Sequence, residues 1–185
     1  MGKMKRKKAL IFGITGQDGS YLAELLLEKN YKIYGILRRT SLFNTTRIDH
    51  IRNKITMRYG DLTDGAALSN YLHSIINENE NFNVLEIYNL AAQSHVKISF
   101  EQPEYTSNVD GMGVMRILEI IRFLKLKTKF YQATTSELFG EKGKNLKFNE
   151  KSNLNPKSPY GVSKLFAHHI TKVYRESYGI YAASG

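Results

Sequence analysis

The feature that most constrains this chain is a turn with three glycines set between an apolar run and an amphipathic one. Ala9-Leu-Ile-Phe-Gly13 has the pattern of a strand buried on both faces. Gly13-Ile-Thr-Gly16-Gln-Asp-Gly19 follows, and Asp18 to Asn30 then carries Leu22, Leu25 and Leu26 at helical spacing. The alternation continues. Strands are expected at Tyr31 to Leu37, Ile55 to Tyr59, Asn83 to Leu90 and Thr128 to Thr134. Helices are expected from a Thr63 or Asp64 cap to about Asn77, from Pro103 to Leu124, and from Ser158 to Tyr178. Ser41 to Asn53 reads as a loop with a short helix, and Gly179 to Ser184 as the opening of a sixth strand. Strands alternating with helices build βαβ units. Right-handed crossovers place helices on both faces. The expected fold is α/β, a doubly wound parallel sheet whose ligand site lies beyond the carboxyl ends of the strands.

Composition narrows the function classes. With 42% hydrophobic and 24% charged residues the chain can bury a core, and disorder as the main state is excluded. It has no cysteine, which excludes disulfides, thiolate metal sites and a cysteine nucleophile. No apolar run is long enough to span a bilayer. The net charge of +10 raises the question of nucleic acid, but Lys3, Lys5, Arg6, Lys7 and Lys8 supply five of those ten charges. They read as a solvated lead-in to the first strand. The expectation is a soluble cytoplasmic protein with neither a nucleic-acid nor a membrane partner. A non-catalytic basic domain that binds nucleic acid or senses a dinucleotide is the alternative from a different class.

The glycine spacing has a chemical reading. Gly13 permits a tight turn, Gly16 lets backbone approach a pyrophosphate, and Gly19 lets helix and strand pack closely. Phosphates would meet the helix N-terminus, where free N–H groups and the helix dipole favour negative charge. The end of the second strand then selects the cofactor. A carboxylate there would hold the 2′-hydroxyl of NAD. This chain has Ile36-Leu37-Arg38-Arg39 instead, and guanidinium groups match a phosphate. NADP is therefore expected, with Arg38 as its principal contact. Asp61-Leu62, after the third strand, is either an adenine neighbour or a capping pair.

Tyr160-Gly-Val-Ser-Lys164 puts phenol and ammonium on one helical face. The ammonium would draw the phenol pKa down towards working pH, preparing Tyr160 to take a proton from a hydroxyl. Lys164 could also hold the nicotinamide ribose. The pattern is weak alone, but Thr134-Thr135-Ser136-Glu137 stands at the end of the fifth strand, one βα unit earlier. It offers a hydroxyl to bind a reacting oxygen and a carboxylate to act as a base.

With these residues the chain resembles the extended short-chain dehydrogenase/reductase family, and within it the nucleotide-sugar dehydratases. The resemblance rests also on Gly16-Gln-Asp-Gly-Ser-Tyr-Leu22, Tyr59-Gly-Asp-Leu-Thr-Asp64, Asn89-Leu-Ala-Ala-Gln-Ser-His-Val96 and Tyr174-Arg-Glu-Ser-Tyr-Gly179, and it runs nearly the whole chain. It implies a Rossmann domain over residues 1–185. It implies that NADP lies along Gly13, Thr15, Gly16, Gln17 and Asp18, with Arg38, Asp61 and Leu62. The strip Leu90, Ala91, Ala92, Gln93 and Ser94 would continue that site, with Tyr105 nearby. It implies GDP-mannose as substrate, oxidised at C4 with Tyr160 as base, Lys164 tuning it and Thr135 positioning the hydroxyl. Glu137 would remove the C5 proton and help expel water from C6, and the stored hydride would return to C6. Another nucleotide-sugar epimerase or dehydratase of the same family is the close alternative.

The resemblance further implies a homo-oligomer in which the segment after Arg38-Arg39, through Phe43-Asn44-Thr45, reaches a neighbouring subunit. Family members continue into a smaller substrate domain, so the chain is expected to be truncated near its sixth strand and to turn over poorly by itself. Gly161, Ser163 and Thr134 depart from the family pattern at small-residue positions. His95 is read as structural, Asp110 as packing rather than chemistry, and His168-His169 as unsuited to one metal ion because adjacent helical positions diverge.

Overall fold

The computed structural model describes residues 7–41, 44–78, 84–140 and 147–185. Six strands form one sheet: β1 (Lys8–Phe12), β2 (Lys32–Leu37), β3 (Ile55–Tyr59), β4 (Leu85–Asn89), β5 (Thr128–Gln132) and β6 (Tyr181–Ser184). Their order is β3-β2-β1-β4-β5-β6, and every adjacent pair is parallel. The order reverses between β1 and β4, so the switch point lies at their carboxyl ends.

All five residues of β1 are buried because both faces of the sheet are covered. Its alternate side chains feed two cores. Leu10 and Phe12 join Leu68 and Leu72 of α2 (Gly65–Ile76), Ile117 of α5 (Gly113–Phe123) and Ala167 of α6 (Pro159–Tyr178). Ala9 and Ile11 join Ala23 and Leu26 of α1 (Gln17–Glu28), with Ile48 and Ile51 from the chain before β3. Side chains cap two of the helices, the first of them as expected. Asp64 accepts from the Ala67 N–H at 3.0 Å and opens α2. Ser158 accepts from the Gly161 N–H at 3.0 Å and opens α6, with Pro159 in its first turn. At the other end of α6, Gly179 takes a left-handed φ of 65° and stops the helix ahead of β6.

The segment expected as one helix from Pro103 to Leu124 is built differently. A short α4 (Pro103–Ser107) runs into a π-helical turn (Asn108–Met112) before α5 begins. The wider turn carries the buried Asp110 inward, and Arg116 ties its start by donating to the Asn108 carbonyl at 3.1 Å and to Asn108 Oδ1 at 2.6 Å. A six-residue helix, α3 (Val96–Glu101), precedes it. It has too few residues for apolar periodicity to reveal it. Asn83, Phe43, Lys3, Lys5 and Arg6 lie outside the described residues.

Candidate functional site

A cavity of about 570 Å³ opens above the carboxyl ends of the strands at the switch point. Gly13, Thr15 and Gly16 of the turn after β1 line it, as do Arg38 after β2 and Asp61 and Leu62 after β3. The strip Leu90 to Ser94 after β4 and Tyr105 of α4 line it as well. Residues from four separate βα connections thus meet in one space.

The turn is shaped by close backbone approach. Gly13 has φ +77°, and a Cβ there would stand 2.9 Å from the Ala91 nitrogen. Gly19 is buried behind the turn, where a Cβ would fall 2.2 Å from the Gly13 carbonyl oxygen. The Gly16 N–H closes the turn by donating to that carbonyl at 3.0 Å. Among the described residues no side chain caps α1. Its first-turn N–H groups are left for an anion, so the cradle fits a pyrophosphate. Gln17 and Asp18 are exposed on the first turn and stand outside the cavity lining.

At the end of β2 the Arg38 guanidinium donates to the Tyr105 hydroxyl. The Arg39 guanidinium lies 5.0 Å from the centre of the Tyr59 ring. Both arginines, with Thr40 and Ser41, border an adjoining depression that Asp61 also reaches. The Asp61 carboxylate meanwhile accepts from the Thr63 N–H at 2.9 Å and its hydroxyl at 2.8 Å. It therefore shapes its own turn as well as lining the cavity.

Ile98, Gln102, Tyr105 and Val109 also line the space. They come from α3, the bend at Gln102, α4 and the π-helical turn, and of the four the sequence points only to Tyr105. His95 faces the cavity too, and its N–H donates to the Gln93 side chain at 2.9 Å.

The catalytic candidates gather one step along the sheet, at the ends of β5 and α6. Thr135 precedes a short 3-10 turn and accepts from the Glu137 N–H at 3.2 Å. Tyr160 and Lys164 occupy the first turns of α6 and are 7% and 2% exposed. They stand outside the main cavity's lining. The Lys164 ammonium donates to the Ala133 carbonyl at 3.1 Å and lies 5.9 Å from the centre of the Tyr160 ring. A buried amide pair supports that carbonyl: Asn89 donates to Gln132 at 2.7 Å, and Gln132 donates to the Ala133 carbonyl at 2.7 Å.

The electrostatics correct one expectation. The phenol of Tyr160 is pushed up, not drawn down. Burial is the largest cause, the charges of Asp110 and Glu137 add to it, and a side-chain hydrogen bond with Thr135 opposes it. Burial also lowers the pKa of Lys164, against the charge of Asp110. Asp110 itself, expected to be packing, is pushed up to about 6 by burial, while Lys164 and the Gln93 N–H pull it down. Gly161 has a local reason to lack a side chain. A Cβ there would stand 2.9 Å from Pro156 Cβ and 3.1 Å from the Glu137 carbonyl oxygen.

The reversed parallel sheet, the glycine turn and the tyrosine–lysine helix following a Thr-Ser-Glu turn define an extended short-chain dehydrogenase/reductase domain. Solved structures agree. UDP-glucose 4-epimerase of Thermus thermophilus, solved with NAD, superposes at a TM-score of 0.82 with 25% identity, over 96% of this chain and 53% of that one. dTDP-glucose 4,6-dehydratase of Bacillus anthracis, also solved with NAD, gives 0.77 with 25% identity, over 96% of this chain and 53% of that one. Sequence comparison is narrower: the family model for GDP-mannose 4,6 dehydratase matches residues 10–185, and the chain belongs to that family. GDP-mannose 4,6-dehydratase of Vibrio cholerae serotype O1 is 52% identical over 98% of this chain and 49% of its own length. The Homo sapiens protein of the same description is 50% identical over 100% of this chain and 50% of its own length. The chain spans about half the length of the curated relatives it matches.

Proposed function

We propose that the switch-point cavity holds NADP and that the protein dehydrates GDP-mannose to GDP-4-dehydro-6-deoxy-mannose. A nicotinamide dinucleotide supplies reversible acceptance of a hydride. The chain's own residues supply the rest. The α1 N-terminus and the glycine turn bind pyrophosphate, and Arg38 takes the 2′-phosphate. Thr135 orients the sugar 4-hydroxyl and Tyr160 removes its proton. Once C4 carries a carbonyl, the proton on C5 is acidic. Glu137 removes it and returns a proton to the C6 oxygen as water leaves. Lys164 holds ribose hydroxyls and places positive charge near the Tyr160 phenolate that accepts the proton, and C5 regains a proton as hydride returns to C6, which balances the proton taken at C4.

The observation that carries this reading is the meeting of three groups. The Glu137 N–H donates to the Thr135 hydroxyl at 3.2 Å, the Lys164 ammonium ties the tyrosine helix to the Ala133 carbonyl beside them at 3.1 Å, and a Cβ on Gly161, next to Tyr160, would stand 3.1 Å from the Glu137 carbonyl oxygen. A hydroxyl, an acid–base phenol and a carboxylate base in one place suit loss of water better than epimerisation, which needs no base at C5. Assembly as a homo-oligomer belongs to the same reading, and the exposed Val162, Phe166 and Val173 along one face of α6 support it. The test is mass spectrometry of GDP-mannose incubated with the protein and NADP⁺. Loss of one water is expected from a full-length protein that carries this domain, and little or none from this chain by itself, which spans about half the length of its curated relatives. Glu137→Gln should retain NADP binding and lose dehydration, and a Glu137→Gln protein that still dehydrates would refute the assigned role.

A further inference from the structure

Asp110 has a setting that no part of the reaction above uses. Its side chain is 1% exposed and comes from the π-helical turn, not from a strand end or a catalytic helix. One carboxylate oxygen accepts from the Gln93 backbone N–H at 2.7 Å, and Gln93 belongs to the cavity wall. The other oxygen is buried and has no hydrogen-bond partner among the described residues. An unbonded buried carboxylate oxygen is costly unless a charge faces it.

The positive charge that acts on it is that of Lys164 on α6. Its ammonium has three donors, and one of them goes to the Ala133 carbonyl. The two elements are held together beside the pair. The Ser163 hydroxyl donates to Ser107 Oγ at 3.2 Å, and a Cβ on Gly111 would stand 3.2 Å from Phe166 Cδ1, so α6 packs directly on the wide turn. A regular helix through 108–112 would carry position 110 round to a different direction. The charged and titratable groups that interact with the carboxylate are Lys164 and Tyr160, both on α6.

We infer that Asp110 is a positioning residue that joins the two halves of the site: one oxygen clamps the Gln93 backbone of the dinucleotide wall, and its buried carboxylate, held where the wide turn packs on α6, acts on the Lys164 ammonium. The inference rests on the proposed function for the meaning of the two halves, though the coupling itself does not depend on any substrate. The π-helical turn then has a purpose, because it delivers the carboxylate between them.

The test uses NMR of the chain with 13C-labelled lysine and aspartate, assigned with Lys164→Met and Asp110→Asn, and NADP⁺ binding by calorimetry. In the parent protein the Lys164 resonance should shift as Asp110 ionises near pH 6, the value to which burial raises that carboxyl. Asp110→Asn keeps an acceptor for Gln93 and removes the charge. It should lower the Lys164 midpoint by about one pH unit or more, a tenfold loss of proton affinity, with NADP⁺ affinity within about threefold. Asp110→Ala removes the clamp as well and should weaken NADP⁺ about tenfold. A Lys164 resonance in the parent that ignores Asp110 ionisation would overturn the charge coupling, and that measurement needs no variant to fold. Equal losses of NADP⁺ affinity in Asp110→Asn and Asp110→Ala would overturn the separation of clamp from charge. Neither readout involves turnover, so a failure of the full-length protein to dehydrate GDP-mannose would refute the proposed reaction and leave this coupling standing.

Discussion

Replacing Gly19 by alanine tests whether close contact between α1 and the turn builds the cofactor cradle. Alanine in a helix is ordinarily a gain of roughly 0.5–1 kcal/mol over glycine. Here the new Cβ would fall 2.2 Å from the Gly13 carbonyl oxygen and 2.8 Å from Ile14 Cα, both backbone atoms that no rotamer change can move. The helix must withdraw by more than an ångström, and overpacking of this kind costs about 1–3 kcal/mol or more. We expect a net loss of about 2 kcal/mol, which lowers Tm by roughly 4–8 °C in a chain of this length. The withdrawn N–H groups should also weaken NADP⁺ by at least about tenfold. Gly16→Ala is the control. Its Cβ would meet only the Gly13 carbonyl oxygen, at 3.2 Å, so stability should stay within about 1 kcal/mol. Its methyl faces the cavity, so binding should still fall. Urea unfolding and calorimetry read the two effects separately. A Gly19→Ala protein as stable as the parent, or a Gly16→Ala protein that binds normally, would refute the reasoning.

Three further outcomes follow from the same geometry. Arg38→Ala should cut the preference for NADP⁺ over NAD⁺ by about tenfold or more while leaving NAD⁺ binding in place, as a ratio of dissociation constants will show. Ser158→Ala removes the α6 cap bond of 3.0 Å and should cost about 1 kcal/mol in urea unfolding, with the α6 N-terminus fraying around Tyr160. Burial pushes Glu78 up, but bonds from Tyr34, Lys32 and Lys8 outweigh it and hold the carboxyl at about 2, below its ordinary 4.5. A depressed carboxyl contributes stability above 4.5 that is lost as pH falls towards 2, so the parent's urea midpoint should drop through that window. In Glu78→Gln the drop should be smaller, and an unchanged profile would count against the cluster.

The strands and the first turn were legible because their information is local. Ala9 to Phe12 is apolar at every position, the pattern of a strand covered on both faces, and the glycines stand where one strand must meet one helix. Asp64 and Ser158 cap as their positions suggest, since a cap bonds only three residues ahead. What escaped depends on partners distant in sequence. The π-helical turn has no sequence period of its own, and its purpose is visible only when Gln93 and Lys164 are seen on either side of Asp110. The raised phenol of Tyr160 has the same origin. Four-residue spacing places Lys164 on the same helical face, but burial and the carboxylates of Asp110 and Glu137 come from the tertiary fold. Gly161 looked like a neutral departure until Pro156 and the Glu137 carbonyl were found against it. The wall of Ile98, Gln102, Tyr105 and Val109 is likewise tertiary, because its residues come from α3, the bend at Gln102, α4 and the π-helical turn.

The most direct test of the central claim is calorimetric titration of this chain with NADP⁺ and with NAD⁺, repeated on Gly13→Val. Gly13 has φ +77° and sits against Ala91, so any side chain there disrupts the cradle. Saturable binding of one NADP⁺ per chain, tighter than NAD⁺ and abolished in Gly13→Val, is the predicted result. Failure to bind either nucleotide, or binding that survives in Gly13→Val, would contradict the account.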